Sequence, residues 1–461
     1  MTHNYIVSEM NDYDFVLKQL AENEVRCGCE TCVVDGIPVW DALRYKLRIS
    51  YLRKQGFDYL DPGFPVRIGG LLRSVIKSLF QICRVRGSYE CIFFSFPRVD
   101  RISGKYLDKF TDPIIEVAGI KSYLILERGR GGVHSTPRLH QDRLVYLELL
   151  VILAKIDALF AFRLRKRHKS ELARLSASIR QAYGEILSEK EIEKNAVDAI
   201  CYVRRLASFL RKVNGKCVIG PSRVYQAFPF LAARAAGMKT IELQHGITYG
   251  ETVMYSGYQS PGIVPDWFCE FGDNCPRDVY GIRPERMVNI GWALFDYLKT
   301  IPAELTVKEK DVLVVSEPVP SVELLNAVCV LARENRESCF YFRPHPNEHL
   351  TADQIRLIEN EPNVVVQDNG INIAVVLQSF SYIIGENSTV LYEALSMGKK
   401  VGRLFFEGLS PRYLTEDDKA LFWEISDKES FELFMSAGCI KGQKSIYSPF
   451  DREAFMHILC N

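Results

Sequence analysis

Two short polar segments in the last third of the chain carry residue types that bind phosphate. Arg343, His345 and Pro346 belong to the segment RPHP, which directly follows an apolar run with the pattern of a strand. A guanidinium binds phosphate through two parallel hydrogen bonds, and an imidazole donates a further one and can carry charge. The prolines restrict the turn and fix the direction of both side chains. A strand-end turn with incidental polar residues explains RPHP equally well when it is taken alone.

Ser388 and Thr389 form the second segment, between a predicted strand and a predicted helix over 390–397. The free N–H groups of a helix start, the helix dipole and two hydroxyls together hold an anion. N-capping without any ligand is the alternative. Because His345 and Ser388 follow two strands of one predicted sheet, both can reach the same phosphate, and the pair favours a nucleotide site.

A histidine in the middle of the chain is a third candidate for chemistry. His245 stands between Gln244 and Gly246 directly after a predicted strand, and the glycine permits close approach of the backbone. A histidine satisfied within the core is the alternative. If the strand prediction holds, His245 and His345 approach a ligand from two different sheets.

Two predicted sheets must position these residues. Short apolar runs alternate with helical patterns twice along the chain, which is typical of parallel sheets, and the polar segment 300–310 is predicted as a linker. We expect an α/β fold of two Rossmann-like, doubly wound domains facing each other across a cleft, 1–300 with a helical N-terminal extension and 301–461, whose last helix can pack back on the first domain. The predicted strands are 91–96, 121–126, 217–220, 240–243, 267–271 and 287–290, then 311–316, 339–342, 363–366, 381–384 and 400–404. A long helical stretch is predicted over 169–212, between the second and third of these strands.

Composition excludes several classes of partner. The 58 basic and 57 acidic residues give a net charge of +1, so no global field attracts nucleic acid. Thirteen scattered cysteines and a polar start without a signal peptide predict a reduced, cytoplasmic protein. Cys27, Cys29 and Cys32 are too few ligands for structural zinc, and no DxD triplet follows a strand, so we expect neither a metal nor a cofactor.

Two stretches combine apolar and basic residues at helical spacing. Residues 147–162 are too few to span a bilayer and include three charged residues, so they do not predict a transmembrane helix. Both this stretch and 66–86 fit a core-facing helix with a solvated basic edge, which we favour. The alternative is peripheral contact with the inner face of the cytoplasmic membrane.

Five segments recur in this order in bacterial capsule and lipopolysaccharide glycosyltransferases: QHG, VPDWFCEFGDN, GW with Asp296, RPHPNEH and ENSTVLYEALSMGKKV. Over about residues 217–405 the chain resembles the GT-B superfamily that includes bacterial sialyltransferases, Kdo transferases and CDP-glycerol polyol-phosphate polymerases. VDGIPVWDALR, at 34–44, is similar to the opening helix of some surface-polysaccharide enzymes. The resemblance implies a metal-independent glycosyltransferase of GT-B fold.

The resemblance also implies which residues bind the donor. In sialyltransferase-like members a His-Pro pair and a serine motif bind CMP, which points to His345 with Pro346 and to Ser388 with Thr389. Glu317, in the turn SEPV, lies where such folds meet the base or ribose.

Glu393 resembles a glutamate that bonds a ribose hydroxyl in many GT-B enzymes. An exposed helix charge is an equal alternative.

The catalytic base is the least determined role. Related families use an acidic residue of the first domain, and this sequence has no clear copy of their acidic motif. Glu127 is preferred because it follows a predicted strand and can take the proton of an acceptor hydroxyl. Asp112, Asp100 and Glu251 are alternatives, and His245 can serve as base or stabilise the leaving charge.

The predicted function is transfer of a sugar from a CMP-activated donor, of the CMP-Kdo or CMP-sialic acid type, to a bacterial surface polysaccharide or lipopolysaccharide. Polyol-phosphate transfer from CDP-glycerol is one alternative. A UDP- or GDP-sugar-dependent transferase or a UDP-sugar 2-epimerase is another. A binding role without catalysis leaves the paired phosphate elements unexplained.

Overall fold

The computed structural model describes residues 2–57, 65–97, 99–246, 251–272, 277, 280–302, 305–317, 321–346, 348–411, 413, 416–438 and 447–460. Parts of four predicted motifs lie outside the described residues: 247–250 after QHG, 273–274, Pro318 with Val319, and Asn347.

Helices and strands alternate through most of the described chain. The helices are α1 (Thr2–Arg26), α2 (Val39–Lys54), α3 (Ile68–Arg84), α4 (Asp112–Ala118), α5 (Glu148–Leu159), α6 (Phe162–Arg167), α7 (Lys169–Tyr183), α8 (Glu189–Val213), α9 (Ala227–Ala235), α10 (Ala293–Leu298), α11 (Ser321–Glu334), α12 (Ala352–Glu359), α13 (Ile373–Ser379), α14 (Thr389–Ser396), α15 (Lys428–Ser436) and α16 (Arg452–Cys460). The strands are β1 (Val33–Val34), β2 (Ile37–Pro38), β3 (Tyr89–Phe94), β4 (Asp100–Ile102), β5 (Lys105–Leu107), β6 (Tyr123–Glu127), β7 (Leu144–Tyr146), β8 (Gly215–Pro221), β9 (Lys239–Leu243), β10 (Trp267–Glu270), β11 (Met287–Asn289), β12 (Val312–Val315), β13 (Phe340–Arg343), β14 (Val364–Val366), β15 (Tyr382–Gly385), β16 (Lys400–Leu404) and β17 (Trp423–Ile425).

The first sheet is parallel throughout and, among the described residues, has seven strands in the order β11-β10-β9-β8-β3-β6-β7. The chain enters at β3, continues to one edge through β6 and β7, and then returns to build the other side from β8. The order therefore reverses between β3 and β8, and ligands of open parallel sheets bind outside the carboxyl ends at such a point.

The second sheet is also parallel and has six strands within the described ranges, in the order β14-β13-β12-β15-β16-β17. Its order reverses between β12 and β15. The two doubly wound parallel sheets confirm the predicted α/β, GT-B-like fold, and each of the eleven predicted strands corresponds to an observed one. The predicted helical stretch 169–212 is two helices, because Gly184 (φ 67°, ψ −161°) ends α7 before α8 begins.

A buried charged cluster ties the N-terminal helices to the segment that follows His245. Glu24 of α1 accepts hydrogen bonds from Arg44 (3.2 Å) and Arg48 (2.7 Å) of α2. Burial by itself raises the pKa of Glu24, but the two guanidinium groups outweigh that effect and lower it. The same arginines donate to the carbonyl oxygens of Ser256 (2.8 Å) and Val253 (3.0 Å). The segment 34–44 thus begins a helix that holds the loop after QHG.

The end of the chain returns to the first sheet. Ser448 N–H donates to Phe271 O (2.7 Å), and Ser448 O accepts from Trp292 N–H (2.9 Å). Gly291 packs so tightly here that a Cβ atom would lie 1.9 Å from Pro449 O. Helix α16 then packs on α4, where Arg452 donates to Ala118 O (3.1 Å). The Ser448 contacts thus join the returning chain to the carboxyl edge of the first sheet.

Within the described part of the chain, no helix is both long enough and apolar enough to cross a membrane. The apolar stretch 147–162 forms α5 and the start of α6.

Candidate functional site

The second sheet brings three polar turns together at its carboxyl edge. In the register of the sheet, Val315 of β12 pairs with Arg343 of β13 on one side and with Gly385 of β15 on the other. The turns that begin at Ser316, Pro344 and Glu386 therefore leave the sheet at the same level. They surround the point at which the strand order reverses, where a ligand is expected in this architecture.

Gly385 sets the distance between two of these turns. A Cβ atom at this position would lie 2.8 Å from Val315 O and 2.9 Å from Val315 Cγ2. Any other residue would force β12 and β15 apart. The glycine thus allows Glu317, two residues after β12, to reach the turn after β15.

Glu317 lies against that turn. Its mostly buried carboxyl group accepts a hydrogen bond from the backbone N–H of Asn387. Burial first, and then the nearby Glu386 carboxylate, raise the pKa of Glu317 from 4.5 to about 7, against the opposing effect of Arg403. A carboxyl group at this position can accept from, or donate to, a polar ligand close to neutral pH.

The turn from Glu386 to Ser388 is held rigidly. Arg403 is buried and donates to Glu386 O (3.0 Å) and Asn387 Oδ1 (3.3 Å), and Glu386 Oε1 accepts from Ser410 N–H (2.6 Å). Ser388 caps α14 by accepting from the N–H of Val390 (3.4 Å).

The start of α14 reaches the surface of the protein. Thr389, the first residue of α14, is exposed. The positive end of the helix dipole and the first N–H groups of α14 therefore lie at the sheet edge, next to the carboxyl group of Glu317.

His345 and Pro346 follow the neighbouring strand β13. His345 is half-buried and Pro346 is exposed. The backbone N–H of His345 donates to Glu348 Oε2 (2.9 Å), and Ser321 Oγ donates to Glu348 Oε1 (2.6 Å). Through Glu348, these bonds attach the turn that bears the His345 imidazole to the start of α11.

Arg343 has a different position from the one expected of a phosphate ligand. Its buried guanidinium donates to the side chain of Gln367, to Asp368 O (3.0 Å) and to Ile371 O (2.7 Å). Burial lowers the pKa of Arg343 to about 10, while the Asp368 carboxylate opposes that shift. The Arg343 guanidinium therefore orders the loop 367–371, with both terminal nitrogens engaged by oxygens of that loop, and its predicted contact with a phosphate stays a prediction.

Glu393 lies in the second turn of α14 and is only 9% exposed. The interpretation of Glu393 as an exposed helix charge is therefore wrong, because the helix turns this residue inward. The ribose contact stays a prediction.

His245 emerges from the carboxyl end of β9 in the first sheet. Gln244 shapes its turn by accepting from Phe271 N–H (2.7 Å) and donating to Gly246 O (2.8 Å), and Gly246 adopts φ 94°. The half-buried imidazole lies between two rings, with centroid distances of 4.4 Å to Phe96 and 5.1 Å to Phe110.

These rings belong to an aromatic band along the carboxyl edge of the first sheet, which the sequence analysis missed. The members come from distant parts of the chain, and each lies within 6.5 Å of the next. Phe96 lies two residues after β3 and Phe271 lies one residue after β10, and an aromatic ring at such a strand end was the available signal. The aromatic band consists of Tyr45, Tyr225, Phe96, His245, Phe110, Phe271 and Trp292.

Asp108 positions the two rings beside His245. Its fully buried carboxyl group accepts from the N–H groups of Phe96 (2.8 Å) and Phe110 (3.0 Å) and from Thr111 Oγ1 (2.8 Å). Burial, followed by repulsion from Asp112, raises the pKa of Asp108 to about 7.

Glu127 and Asp112, two of the three predicted catalytic residues, lie in a buried ion network. Glu127 contacts His134 Nδ1 (2.6 Å) and Arg138 Nε (3.1 Å), and Arg138 Nη2 lies 3.4 Å from Asp112 Oδ2. Burial raises the pKa of Asp112 to about 6, although Arg138 opposes the shift. Both carboxyl groups are buried, so neither offers an open face to an acceptor.

His134 bridges two carboxylates of this network. Its Nε2 lies 3.0 Å from Glu148 Oε2, opposite the contact with Glu127, and its ring stacks on Tyr146 at 3.4 Å. Burial alone lowers the pKa of His134, but the hydrogen bonds to Glu127 and Glu148 outweigh it and the pKa is raised. The network therefore fixes the loop after β6.

The remaining candidates for the base lie elsewhere. Asp100 begins the β4–β5 hairpin, paired with Leu107. Glu251 lines a groove with Lys18 and Glu22 of α1.

Among the residues that the structure describes, no three His, Cys, Asp or Glu side chains gather in a way that could hold a metal ion. Cys29 and Cys32 are buried, and their thiols face the carbonyl oxygens of Ser178 and Gly28 (both 3.6 Å).

Comparison with curated proteins finds a relative in sequence. The chain is 26% identical over 251 residues to the uncharacterized protein MJ1060 of Methanocaldococcus jannaschii, a match that covers 49% of this chain and 44% of that protein. The chain thus spans less than half the length of this curated relative. No family model matches the chain.

Solved structures resemble the chain more broadly but distantly. The UDP-GlcNAc 2-epimerase from Neisseria meningitidis bound to UDP-GlcNAc is 11% identical, with a TM-score of 0.47 and coverage of 80% of this chain and 98% of that one. MurG of Acinetobacter baumannii is 11% identical, with a TM-score of 0.38 and coverage of 81% and 98%. The lipopolysaccharide outer core galactosyltransferase WaaB is 10% identical, with a TM-score of 0.38 and coverage of 75% and 88%.

Proposed function

We propose that the chain is a glycosyltransferase that moves a sugar from a CMP-activated donor, of the CMP-Kdo or CMP-sialic acid type, to a bacterial surface polysaccharide or lipopolysaccharide. One observation carries the proposal. At the point where the strand order of the second sheet reverses, Glu317 contacts the turn that begins α14, and His345 follows the neighbouring strand. In this proposal the second domain begins near residue 301 and binds the donor, and the first domain binds the acceptor.

The donor phosphate occupies the start of α14. Ser388 and Thr389 supply hydroxyl and N–H donors there, and His345 donates from the adjacent turn. The Glu317 carboxyl bonds the ribose or base, and Glu393 is a further candidate for the ribose. Protein donors that are already in place neutralise the departing phosphate, so the reaction requires no metal.

The acceptor lies against the aromatic band. His245 supports this assignment because it is half-buried at the carboxyl edge between Phe96 and Phe110, whereas Glu127 and Asp112 are buried. In the proposed step, the imidazole takes the proton of an acceptor hydroxyl. The acceptor oxygen then bonds the anomeric carbon, and the electron pair of the broken C–O bond leaves with the CMP phosphate. Glu127 and Asp112 hold the supporting loop in this proposal.

Nucleotide-induced stabilisation tests the donor site. Purified protein is heated with CMP, CDP, UDP or GDP, and we expect CMP and CDP to raise the melting temperature, since a ligand that binds the native state stabilises it. His345→Ala should remove the CMP effect without lowering the melting temperature of the free protein. His349→Ala, an exposed histidine four residues further on, is the matched control. Stabilisation by UDP alone would rule out the cytidine donor.

Product analysis tests the reaction. A sugar transferase releases CMP and lengthens an oligosaccharide acceptor by one sugar. Polyol-phosphate transfer would instead leave phosphorus on the acceptor. Conversion of a UDP-sugar to its C2 epimer without any acceptor would contradict the transferase assignment.

A further inference from the structure

Helix α3 packs on the first sheet with its polar side. The buried residues of this helix are Ser74 and Ser78. Ser74 Oγ donates to Gly132 O (2.9 Å), Ser78 Oγ donates to Tyr146 O, and Lys77 Nζ donates to the hydroxyl of Tyr146 (3.2 Å). Hydrogen bonds thus hold the inner face of α3. A surface helix of a globular protein usually packs apolar residues on its inner face instead.

The outer face of α3 is a stripe of large apolar side chains. Ile68 is 82% exposed, Leu72 61%, Ile76 50%, Leu79 47% and Phe80 58%. Their spacing of three to four residues places them along one side of the helix. The structure therefore contradicts the core-facing interpretation of 66–86, because the apolar side chains face outward. A contiguous patch of this kind marks an interaction surface.

Charge indicates what covers this stripe. Helix α3 contains neither Asp nor Glu. Basic side chains at 67, 73, 77, 84 and 86 are exposed along and beyond the helix. An apolar face bordered by Lys and Arg is the composition of helices that lie in the interface of an anionic bilayer.

The end of α5 extends the same chemistry. Helix α5 packs against α3. Leu159 ends α5, Phe160 follows it and Phe162 begins α6, and these side chains are among the most exposed apolar ones of the described chain, at 70%, 70% and 68%. Exposed basic residues follow directly at 163, 166 and 167. Two adjoining helices therefore present apolar side chains with basic neighbours.

We propose that α3, together with the end of α5 and the start of α6, forms a docking surface for an anionic lipid bilayer. A second copy of the chain is the less favoured occupant, because a symmetric contact through α3 would bring two sets of arginines and lysines together without acidic partners on the helix. The surface binds lipid whether or not the chain is a glycosyltransferase. Under the proposed function it would also bring a membrane-borne acceptor to the first sheet, whose carboxyl edge carries His245, since α3 begins beside the loop that follows β6, where Arg67 N–H donates to Gly131 O (3.0 Å).

Co-sedimentation of the full chain with vesicles tests the surface. Vesicles of phosphatidylcholine alone are compared with vesicles that also contain phosphatidylglycerol, at low and high salt. We expect binding to the anionic vesicles, weaker binding at high salt, and a loss of about tenfold or more in L72Q/I76Q/F80Q, because the apolar contacts are removed. R73Q/R84Q should lower binding to anionic vesicles and weaken its salt dependence.

Controls separate this surface from others. V322Q/I355Q/L433Q changes three exposed apolar residues on helices of the second sheet and should bind as the unchanged protein does. Thermal unfolding of both triple variants should match the unchanged protein, since the altered side chains are exposed. Failure of the unchanged protein to bind anionic vesicles, or equal binding by L72Q/I76Q/F80Q, overturns the proposal. A lipid-free dimer that this variant dissociates would also overturn it, by assigning the stripe to self-association.

Discussion

Gly385 lies directly against the carbonyl oxygen of Val315, so that a Cβ atom at Gly385 would be 2.8 Å from that oxygen. The contact joins the two strands on either side of the reversal point. It also sets the position of Glu317 relative to the start of α14, and hence the width of the proposed donor site.

Gly385→Ala should widen that site. Because the new methyl group meets backbone as well as a side chain, β12 and β15 must separate, at a cost of about 1–3 kcal/mol in the free energy of unfolding. The stabilisation by CMP should also fall, because the proposed donor site is wider. Denaturant unfolding and the thermal shift measure the two effects. Gly69→Ala, in a position where a Cβ atom meets nothing within 4 Å, should cost nothing and leave CMP binding intact. Equal behaviour of the two variants would contradict the role given to the close contact.

Glu317→Gln should stabilise the free protein at high pH. The pKa of Glu317 is raised from 4.5 to about 7, so the native state holds this proton more tightly than the unfolded state does. Stability therefore falls as pH rises from 4.5 through 7, and the full penalty applies above 7. We expect the variant to gain about 1–2 kcal/mol at pH 8 and nothing at pH 4.5, after allowance for partial exposure of the carboxyl.

Two measurements check this prediction. Denaturant unfolding between pH 4.5 and 8 follows the stability difference, and a gain that is larger at pH 4.5 than at pH 8 would contradict the raised pKa. CMP titration at pH 8 should show weaker binding by Glu317→Gln, because an amide replaces the carboxyl group proposed to bond the ribose or base.

The strands were predictable because each is a run of apolar, mostly β-branched or aromatic residues between polar helical patterns. Among the strands of the two parallel sheets, β7 and β17 were not predicted. Both are edge strands of three residues, although β11 and β14 are equally short edge strands and were predicted. Helices α7 and α8 were predicted as one stretch, because a single Gly184 is a weak signal within a long helical pattern.

The candidate site was predictable in part. The strand-end positions of His345 and Ser388 follow from the predicted strands. The direction of the Arg343 side chain does not, because the oxygens that it contacts lie 24 to 28 residues away in sequence. The aromatic band was hidden for the same reason, since only the folded sheet brings Phe96 and Phe110 to His245.

His134→Ala should destabilise the loop after β6. The change leaves Glu127 and Glu148 buried without their shared partner, which costs about 3–5 kcal/mol. The pKa of His134 is raised above 6.5, so the stability that its charge contributes is complete below pH 6.5 and is lost as pH rises through the raised value. The loss of unfolding free energy in His134→Ala, relative to the unchanged protein, should therefore be larger at pH 6 than at pH 9. His349→Ala serves as the exposed control, and a deficit that is independent of pH would contradict the charged state of His134.

Phe96→Ala should impair use of the acceptor and spare the donor. The Phe96 ring contacts Phe110, Tyr225 and His245, so its removal opens one wall beside the imidazole. Misplacement of a proposed base by about 1 Å lowers turnover by about a hundredfold. The CMP-induced thermal shift should persist, because the proposed donor groups follow strands of the second sheet.

Steady-state kinetics with varied acceptor, together with CMP titration, separates the two effects for Phe96→Ala. Phe15→Ala removes a ring that is 59% exposed on α1 and should change neither quantity. The unfolding free energy is measured for both variants, so that a general loss of stability is not mistaken for loss of the acceptor wall. Equal weakening of CMP binding and acceptor use by Phe96→Ala would place this ring in the donor site and contradict the division between the two sheets.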